Sequence, residues 1–332
     1  MDFVNEMKAK AKAAQKKLVL PEGSEKRTIK AARIVIDEKL AASVTLLGES
    51  SEIEKVAKSE GIPLSGIELV QPRSDGRFGH YAHAYYDLRK HKGMTEDQAK
   101  ADIADPLRWG AMMLHLGEVD GFVAGAENTT GDVLRAGLTI VGMTPGLKTA
   151  SSCFVMAGLD PAFGIKGSMI FADCAVMPDP NPEQLADIAS SAAQSCRELL
   201  NQEPVVALLS FSTKGSASHE LVTKVQTAVQ ILKDRKADFL FDGEVQADTA
   251  LIPSVLDKKA PGSPLSGKIV NVMVFPDLSS GNIGYKLVQR LAKAEALGPF
   301  LQGFAKPVSD LSRGASVDDI VTTSAVTLAR AK

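Results

Sequence analysis

Short continuous apolar runs alternate along the chain with stretches whose apolar residues recur every three or four positions. "KLVLPE" (17–22) and "SVTLLGE" (43–49) are runs of the first kind, and "RTIKAARIVIDEKLA" (27–41) between them has the helical period. Further apolar runs at 120–126, 166–176, 203–211, 237–245 and 268–276 predict strands, and periodic segments at 97–116, 182–200, 217–233, 282–296 and 317–331 predict helices. The strands lack the in–out alternation of a half-exposed sheet. Strands buried on both faces and separated by helices predict parallel sheets covered on either side, the α/β class. Residues 1–17 predict an amphipathic helix with Phe3, Val4 and Met7 inward. "MTPGLKTASS" (143–152) predicts a hinge, "EALGPFLQG" (295–303) a second crossover, and the polar 257–268 an exposed loop.

Length refines this picture: 332 residues exceed what one core usually supports, so two domains are expected. A formal net charge of −2 argues against nucleic acid as the main partner. An anionic ligand would have to be held by local basic groups. Three cysteines, Cys153, Cys174 and Cys196, suit neither a disulfide framework nor a zinc site. Cys174 lies in an apolar strand and reads as a small core residue. The N-terminus lacks the apolar segment of a secretory signal, and no stretch of apolar residues is long enough to span a membrane, so a cytoplasmic location is expected.

Ligands of open parallel sheets sit beyond the carboxyl ends of the strands, and three loops there share one character. They are Asn128–Arg135, Ser212-Thr213-Lys214-Gly215-Ser216, and 278–286, which contains Gly281, Asn282 and Lys286. Each joins glycine and hydroxyl residues to a basic side chain near a helix start, the recipe for holding an oxyanion. A tight turn with a helix cap would have the same composition. No phosphate-binding loop of the nucleotide-hydrolase type, no dinucleotide fingerprint and no serine-hydrolase elbow is present. His80 and His83 read as surface histidines. Asp242, Glu244 and Asp248 are the one carboxylate group that invites a metal, and their spacing favours structural roles. No metal site is expected.

A last segment, "SDLSRGASVDDIVTTSAVTLARA" (309–331), carries Ser316 and Asp319 at capping-box spacing before a periodic apolar run. Capping explains the serine and the aspartates. It leaves Ser312 and Arg313 unexplained.

Taken together, "TTGDVLRAGL" (129–138), "FADCAV" (171–176), "ALLSFSTKGSA" (207–217), "DGEVQADTAL" (242–251), "FPDLSSGNIGYKLVQRL" (275–291) and "PVSDLSRGAS" (307–316) resemble the phosphate acetyl/butyryltransferase family, nearly end to end. The resemblance implies two three-layer α/β/α domains with a cleft between them, like the isocitrate and isopropylmalate dehydrogenases. It divides the chain into 1–147 plus 296–332 and 148–295, the second expected to dimerise. It also implies interconversion of acetyl-CoA plus phosphate with acetyl phosphate plus coenzyme A, a place in acetate metabolism, a homodimer and no permanently bound cofactor. The family's catalytic positions match Ser312, Arg313 and Asp319. Arg89, Arg135 and Arg27 match arginines expected to bind substrate. The family motif alone favours Asp319 over Asp318. Many relatives carry cysteine where this chain has Ala315, which removes a sulfur nucleophile and leaves the hydroxyl, guanidinium and carboxylate. Phosphate butyryltransferase and a metal- and NAD-dependent decarboxylating dehydrogenase are the alternatives.

Overall fold

The computed structural model describes residues 3–332. In chain order the first elements are α1 (Phe3–Ala14), β1 (Lys17–Leu20), α2 (Lys26–Asp37), β2 (Ser43–Leu47), α3 (Ser50–Ser59), β3 (Ile67–Val70), α4 (Phe78–Arg89), α5 (Glu96–Ile103), α6 (Pro106–Leu116), β4 (Gly121–Ala124) and α7 (Thr130–Ala136). There follow β5 (Ser151–Ala157), β6 (Met169–Ala172), α8 (Pro182–Ser195), β7 (Val205–Leu209), α9 (Glu220–Asp234), β8 (Leu240–Val245), α10 (Ala247–Leu251), α11 (Pro253–Lys259), β9 (Val272–Val274), α12 (Leu278–Leu291) and β10 (Glu295–Gln302). The chain closes with β11 (Val308–Asp310) and α13 (Val317–Ala329). It divides into two compact units, one of residues 1–144 and 304–332 and one of residues 145–303.

The first unit holds a five-stranded parallel sheet in the order β11-β4-β1-β2-β3. Leu18, Val19 and Leu20 of β1 are all buried, as a central strand covered on both faces requires. One covering layer buries Ile29, Ala32 and Val35 of α2 with Ile320, Val321 and Leu328 of α13. From β1 the chain steps outward to β2 and β3, whereas β4 and β11 lie on the other side. The sheet therefore reverses direction between β1 and β4, and loops leaving that point diverge and open a crevice.

The second unit holds a six-stranded sheet in the order β10-β5-β6-β9-β7-β8. β10 and β6 each run antiparallel to β5, and the remaining pairs are parallel. The sheet is therefore mixed.

Several elements differ from the sequence expectation for local reasons. The single helix expected over 97–116 is two, because Pro106 cannot continue α5; Asp105 caps the new helix by accepting from the Arg108 N–H at 3.1 Å. The helix expected at 282–296 starts at Leu278, where Asp277 accepts from Ser280 N at 2.8 Å, and ends at Leu291. The segment 295–303, expected to carry the second crossover, is mostly strand β10, and the first unit resumes directly after it at residue 304; an irregularity between Leu297 and Phe300 admits Pro299 at the sheet edge. The end of the expected hinge, Ser151 and Ser152, already belongs to β5.

Candidate active site

In the first unit, three neighbouring strands, β1, β4 and β11, release their loops side by side at the reversal point. Glu22, just past β1, is 6% exposed, and its carboxylate collects the loop after β4. It accepts from the backbone N–H groups of Gly125, Ala126, Glu127 and Asn128 at 2.8–3.1 Å, and from Asn128 Nδ2 at 2.9 Å. Gly125 makes this possible: its φ of +112° suits only glycine, and a Cβ there would lie 2.5 Å from Asp310 Oδ1. Sequence reasoning overlooked Glu22, since no pattern links a glutamate to backbone donors about a hundred residues away. Of the stretch 128–135 expected to face an oxyanion, the Asn128 amide serves Glu22 and the Asp132 amide donates to the cap at Thr129 Oγ1 at 3.2 Å.

Beyond β11 the chain turns through Ser312, Arg313 and Gly314, all exposed, and enters α13. The turn is closed by Ala315 N donating to Ser312 O at 2.8 Å and by Gly314 N donating to Ser312 Oγ at 3.2 Å. The Arg313 guanidinium has no hydrogen-bonded or ion-paired partner among the described residues. Asp319 completes a reciprocal capping box: its Oδ2 accepts from Ser316 N and Ser316 Oγ, each at 2.8 Å, while Asp319 N donates to Ser316 Oγ at 3.1 Å. Asp318 is exposed and takes no part in the cap.

Arg27 fixes this turn from beneath. Its Nη1 donates to the carbonyls of Arg313 at 2.9 Å and Ala315 at 2.6 Å, and its Nη2 to Ala126 O at 3.0 Å. Nε donates to Glu25 at 2.8 Å. Four of its five N–H groups are thus engaged by protein, and Arg27 clasps the loops after β4 and β11 together.

The other arginines differ. Arg135, at the end of α7, is exposed and paired with Asp132 at 3.3 Å. Arg89, at the end of α4, is half-buried and has no hydrogen-bonded or ion-paired partner among the described residues. It lines an open hollow of about 370 Å³ with Lys92, Gln98 and Asp102. No hydrogen bond joins Arg89 or Arg135 to the Ser312–Gly314 turn.

In the second unit, the loop after β7 is folded around the carboxylates of β8. Ser212 Oγ donates to Glu244 at 2.9 Å, Gly215 N to the same oxygen at 2.7 Å, and Lys214 Nζ to Asp242 and to Gly243 O at 2.8 Å. Thr213 Oγ1 accepts from Gln246 N at 3.0 Å. Against the upward push of burial, the bonds from Gly215 N–H and Ser212 Oγ help to hold Glu244 below the ordinary carboxylate range. Hence Lys214, chosen as a phosphate ligand, spends its charge on Asp242. The carboxylates weighed as metal ligands are likewise occupied, Asp248 by Lys259 at 2.8 Å. No group of three or more ligating side chains is placed to hold a metal ion among the described residues. Gly281 is buried so close to the Asp173 carbonyl that a Cβ would run into it, and Asn282 Nδ2 donates to Cys174 O at 3.1 Å. Both residues shape the Asp173–Met177 loop. Lys286 is exposed. All three cysteines are buried and none forms a disulfide among the described residues, and burial pushes the Cys174 and Cys196 thiols up, the latter to about 12.

A parallel sheet that reverses at β1 and β4, with a serine–arginine turn and an unpartnered guanidinium beyond its strand ends, defines an α/β enzyme equipped to handle an anion. The family profile described as phosphate acetyl/butaryl transferase matches residues 2–328, and the chain belongs to that family of acyltransferases. It is 56% identical over 331 residues to the phosphate acetyltransferase of Treponema pallidum (strain Nichols), covering 99% of this chain and 98% of the relative. The structure of a phosphotransacetylase from Staphylococcus aureus superposes with a TM-score of 0.88 at 38% identity, covering 100% of this chain and 98% of the other. A 4-hydroxythreonine-4-phosphate dehydrogenase from Klebsiella pneumoniae shares the fold at a TM-score of 0.54 and 12% identity, covering 95% of this chain and 99% of the other. The expected kinship with a dehydrogenase fold is met at that level.

Proposed function

We propose that the chain is a phosphate acetyltransferase, moving an acetyl group reversibly between coenzyme A and inorganic phosphate by direct attack of the thiolate in a ternary complex. One observation carries the reading: the exposed Ser312–Arg313 turn, held by Arg27 at the carboxyl edge of the sheet, opens directly into a helix start bearing Asp319. A free thiol near pKa 8.5 is mostly protonated at neutral pH, so a base at sulfur speeds attack. Asp319 uses Oδ2 for the cap, and Oδ1 accepts no hydrogen bond among the described residues. That oxygen is the one to take the thiol proton. Arg313, with its charge uncompensated, stabilises the oxyanion of the tetrahedral intermediate, and Ser312 Oγ donates to substrate. Arg89 and Arg135 clamp phosphate with planar forks that lysine does not reproduce. Cys174 and Cys196, with thiols pushed up by burial, and the equally buried Cys153 make poor nucleophiles, which favours direct transfer over an acyl-enzyme.

The enzyme takes coenzyme A and its acetyl ester as substrates and needs no resident cofactor. We place it in the cytoplasm as a homodimer working in acetate metabolism. No helix of the described residues is long and apolar enough to cross a membrane. An exposed apolar stripe on α12, Ile283, Leu287 and Leu291, supports self-association. The test follows free thiol from acetyl-CoA and from butyryl-CoA with phosphate. Acetyl-CoA should be strongly preferred without divalent metal or NAD; preference for the butyryl ester, or dependence on metal and NAD, would overturn the reading.

A further inference from the structure

Asp310 ends β11, two positions before Ser312, and is 6% exposed. Its Oδ2 accepts from Thr130 Oγ1 at 2.5 Å, while Oδ1 is buried without a hydrogen-bond partner. The missing Cβ of Gly125 leaves the room that Oδ1 occupies. Burial and the neighbouring charge of Glu22 push the carboxyl up to about 6, against the Thr130 hydroxyl and the Leu311 N–H, which pull it down. A buried carboxyl with one unsatisfied oxygen costs stability, and core packing does not call for an ionisable group here. The link it makes does have a use. Thr130 begins α7, and Arg135 lies in the last turn of α7. One hydrogen bond thus ties the strand that delivers the Ser312–Arg313 turn to the helix that delivers a phosphate-clamping arginine.

We propose that Asp310 is a positioning residue for phosphate handling: through Thr130 it sets the spacing between the Ser312–Arg313 turn and Arg135. The inference rests on the assignment of Arg135 and Arg313 made above. Glu22 and Arg27 hold the same loops at other points, so losing the Asp310 link should misplace the arginine without unfolding the unit.

The test is steady-state kinetics on the full-length enzyme, with KM for acetyl phosphate and for coenzyme A measured separately. Thr130 is exposed, so Thr130→Val should fold. Removing one hydrogen bond to a charged group should raise KM for acetyl phosphate about tenfold, with KM for coenzyme A within about twofold. Asp310→Ala should match it, and the double variant should be no worse than either, as for two ends of one link. Thr130→Ser and Asp310→Asn, which keep a donor and an acceptor, should restore KM to within about threefold of the parent. Arg135→Lys separates the proposal from its foundation. A raised acetyl phosphate KM in Arg135→Lys with an unchanged one in Thr130→Val and Asp310→Ala overturns the proposal alone. An unchanged KM in Arg135→Lys overturns the assignment of Arg135, and the proposal with it. Additive losses in the double variant, or equal rises in both KM values, also overturn it.

Discussion

Asp319 caps a helix in this structure and is proposed as the base for the thiol, and the two roles separate experimentally. As a cap its Oδ2 satisfies Ser316 N and Oγ, which asparagine can largely imitate; Asp319→Asn should therefore cost about 0.5–1 kcal/mol of stability. As the base for the thiol it cannot be imitated, and kcat should fall about 10²–10⁴-fold in a folded protein. Asp318→Asn shares the helix start but not the cap, so turnover should persist; equal modest losses at both positions would reduce the pair to helix capping. Asp310 makes a different prediction, one of pH. Its folded-state pKa, about 6, lies above the ordinary 3.8, so folding favours the protonated form. The resulting stability is fully present below pH 4 and lost as the pH rises through 6, by at most about 3 kcal/mol. The groups acting on it are Glu22, the Thr130 hydroxyl and the Leu311 N–H. Asp310→Asn should abolish this slope in urea unfolding, gaining on the parent between pH 4 and 7. A parallel pH profile for the two proteins would show that the carboxyl does not titrate in that window. Neither Glu22 nor Asp310 stood out in the sequence, because each is defined by what folds around it: backbone amides in one case, a distant threonine and the bare face of Gly125 in the other.

At the scale of elements, legibility followed burial. β4 and β7 are short apolar runs inside their sheets, and β1 is one after its first lysine, so they are plain in the sequence; β8 is an edge strand that carries Asp242 and Glu244 and was legible by its flanking apolar residues. β10 and β11 were hidden for opposite reasons: β10 contains Gly298-Pro299, which reads as a turn and is admitted only by an irregular edge, and β11 is three residues long. The capping box at Ser316 and Asp319 was readable because its partners are local. The loop after β7 was readable as a loop and not as a site, since composition cannot reveal that Asp242 has already claimed Lys214, whereas the stretch 278–286, read as a loop, is the first part of α12. Arg27 shows the consequence for mechanism. It looked like a substrate ligand and is placed as a clasp on two loops. Lysine has one nitrogen and cannot reach the carbonyls of Ala126, Arg313 and Ala315 together. Arg27→Lys should cost about 1–3 kcal/mol of stability. Because the turn bearing Ser312 and Arg313 is then released, kcat should drop on the order of tenfold or more. If Arg27 instead binds phosphate directly, KM for acetyl phosphate will rise while stability stays unchanged, and the thermal midpoint distinguishes the two.

At the scale of the molecule, the strongest unexplained surface feature is the outer face of α12. Ile283, Leu287 and Leu291 are 58%, 52% and 80% exposed and stand four residues apart, so they form one stripe along the helix. Lys286 and Arg290, both exposed, alternate with them and would supply a polar rim. Single exposed apolar residues are ordinary, but three in register on one helix are a surface that water disfavours, and a second copy of the chain would cover it by symmetry. Leu287→Glu places a charge in the middle of the stripe. Introduced at an exposed position, it should change the fold of the subunit by no more than about 0.5 kcal/mol. Across an apolar interface the same charge, present twice by symmetry, would be buried unpaired and should dissociate the dimer. Sedimentation equilibrium at micromolar protein should then report two chains for the parent and one for Leu287→Glu, with the same far-ultraviolet circular dichroism. A parent that sediments as one chain removes the dimer; a variant that stays paired moves the interface elsewhere, leaving the α12 stripe without a role in assembly.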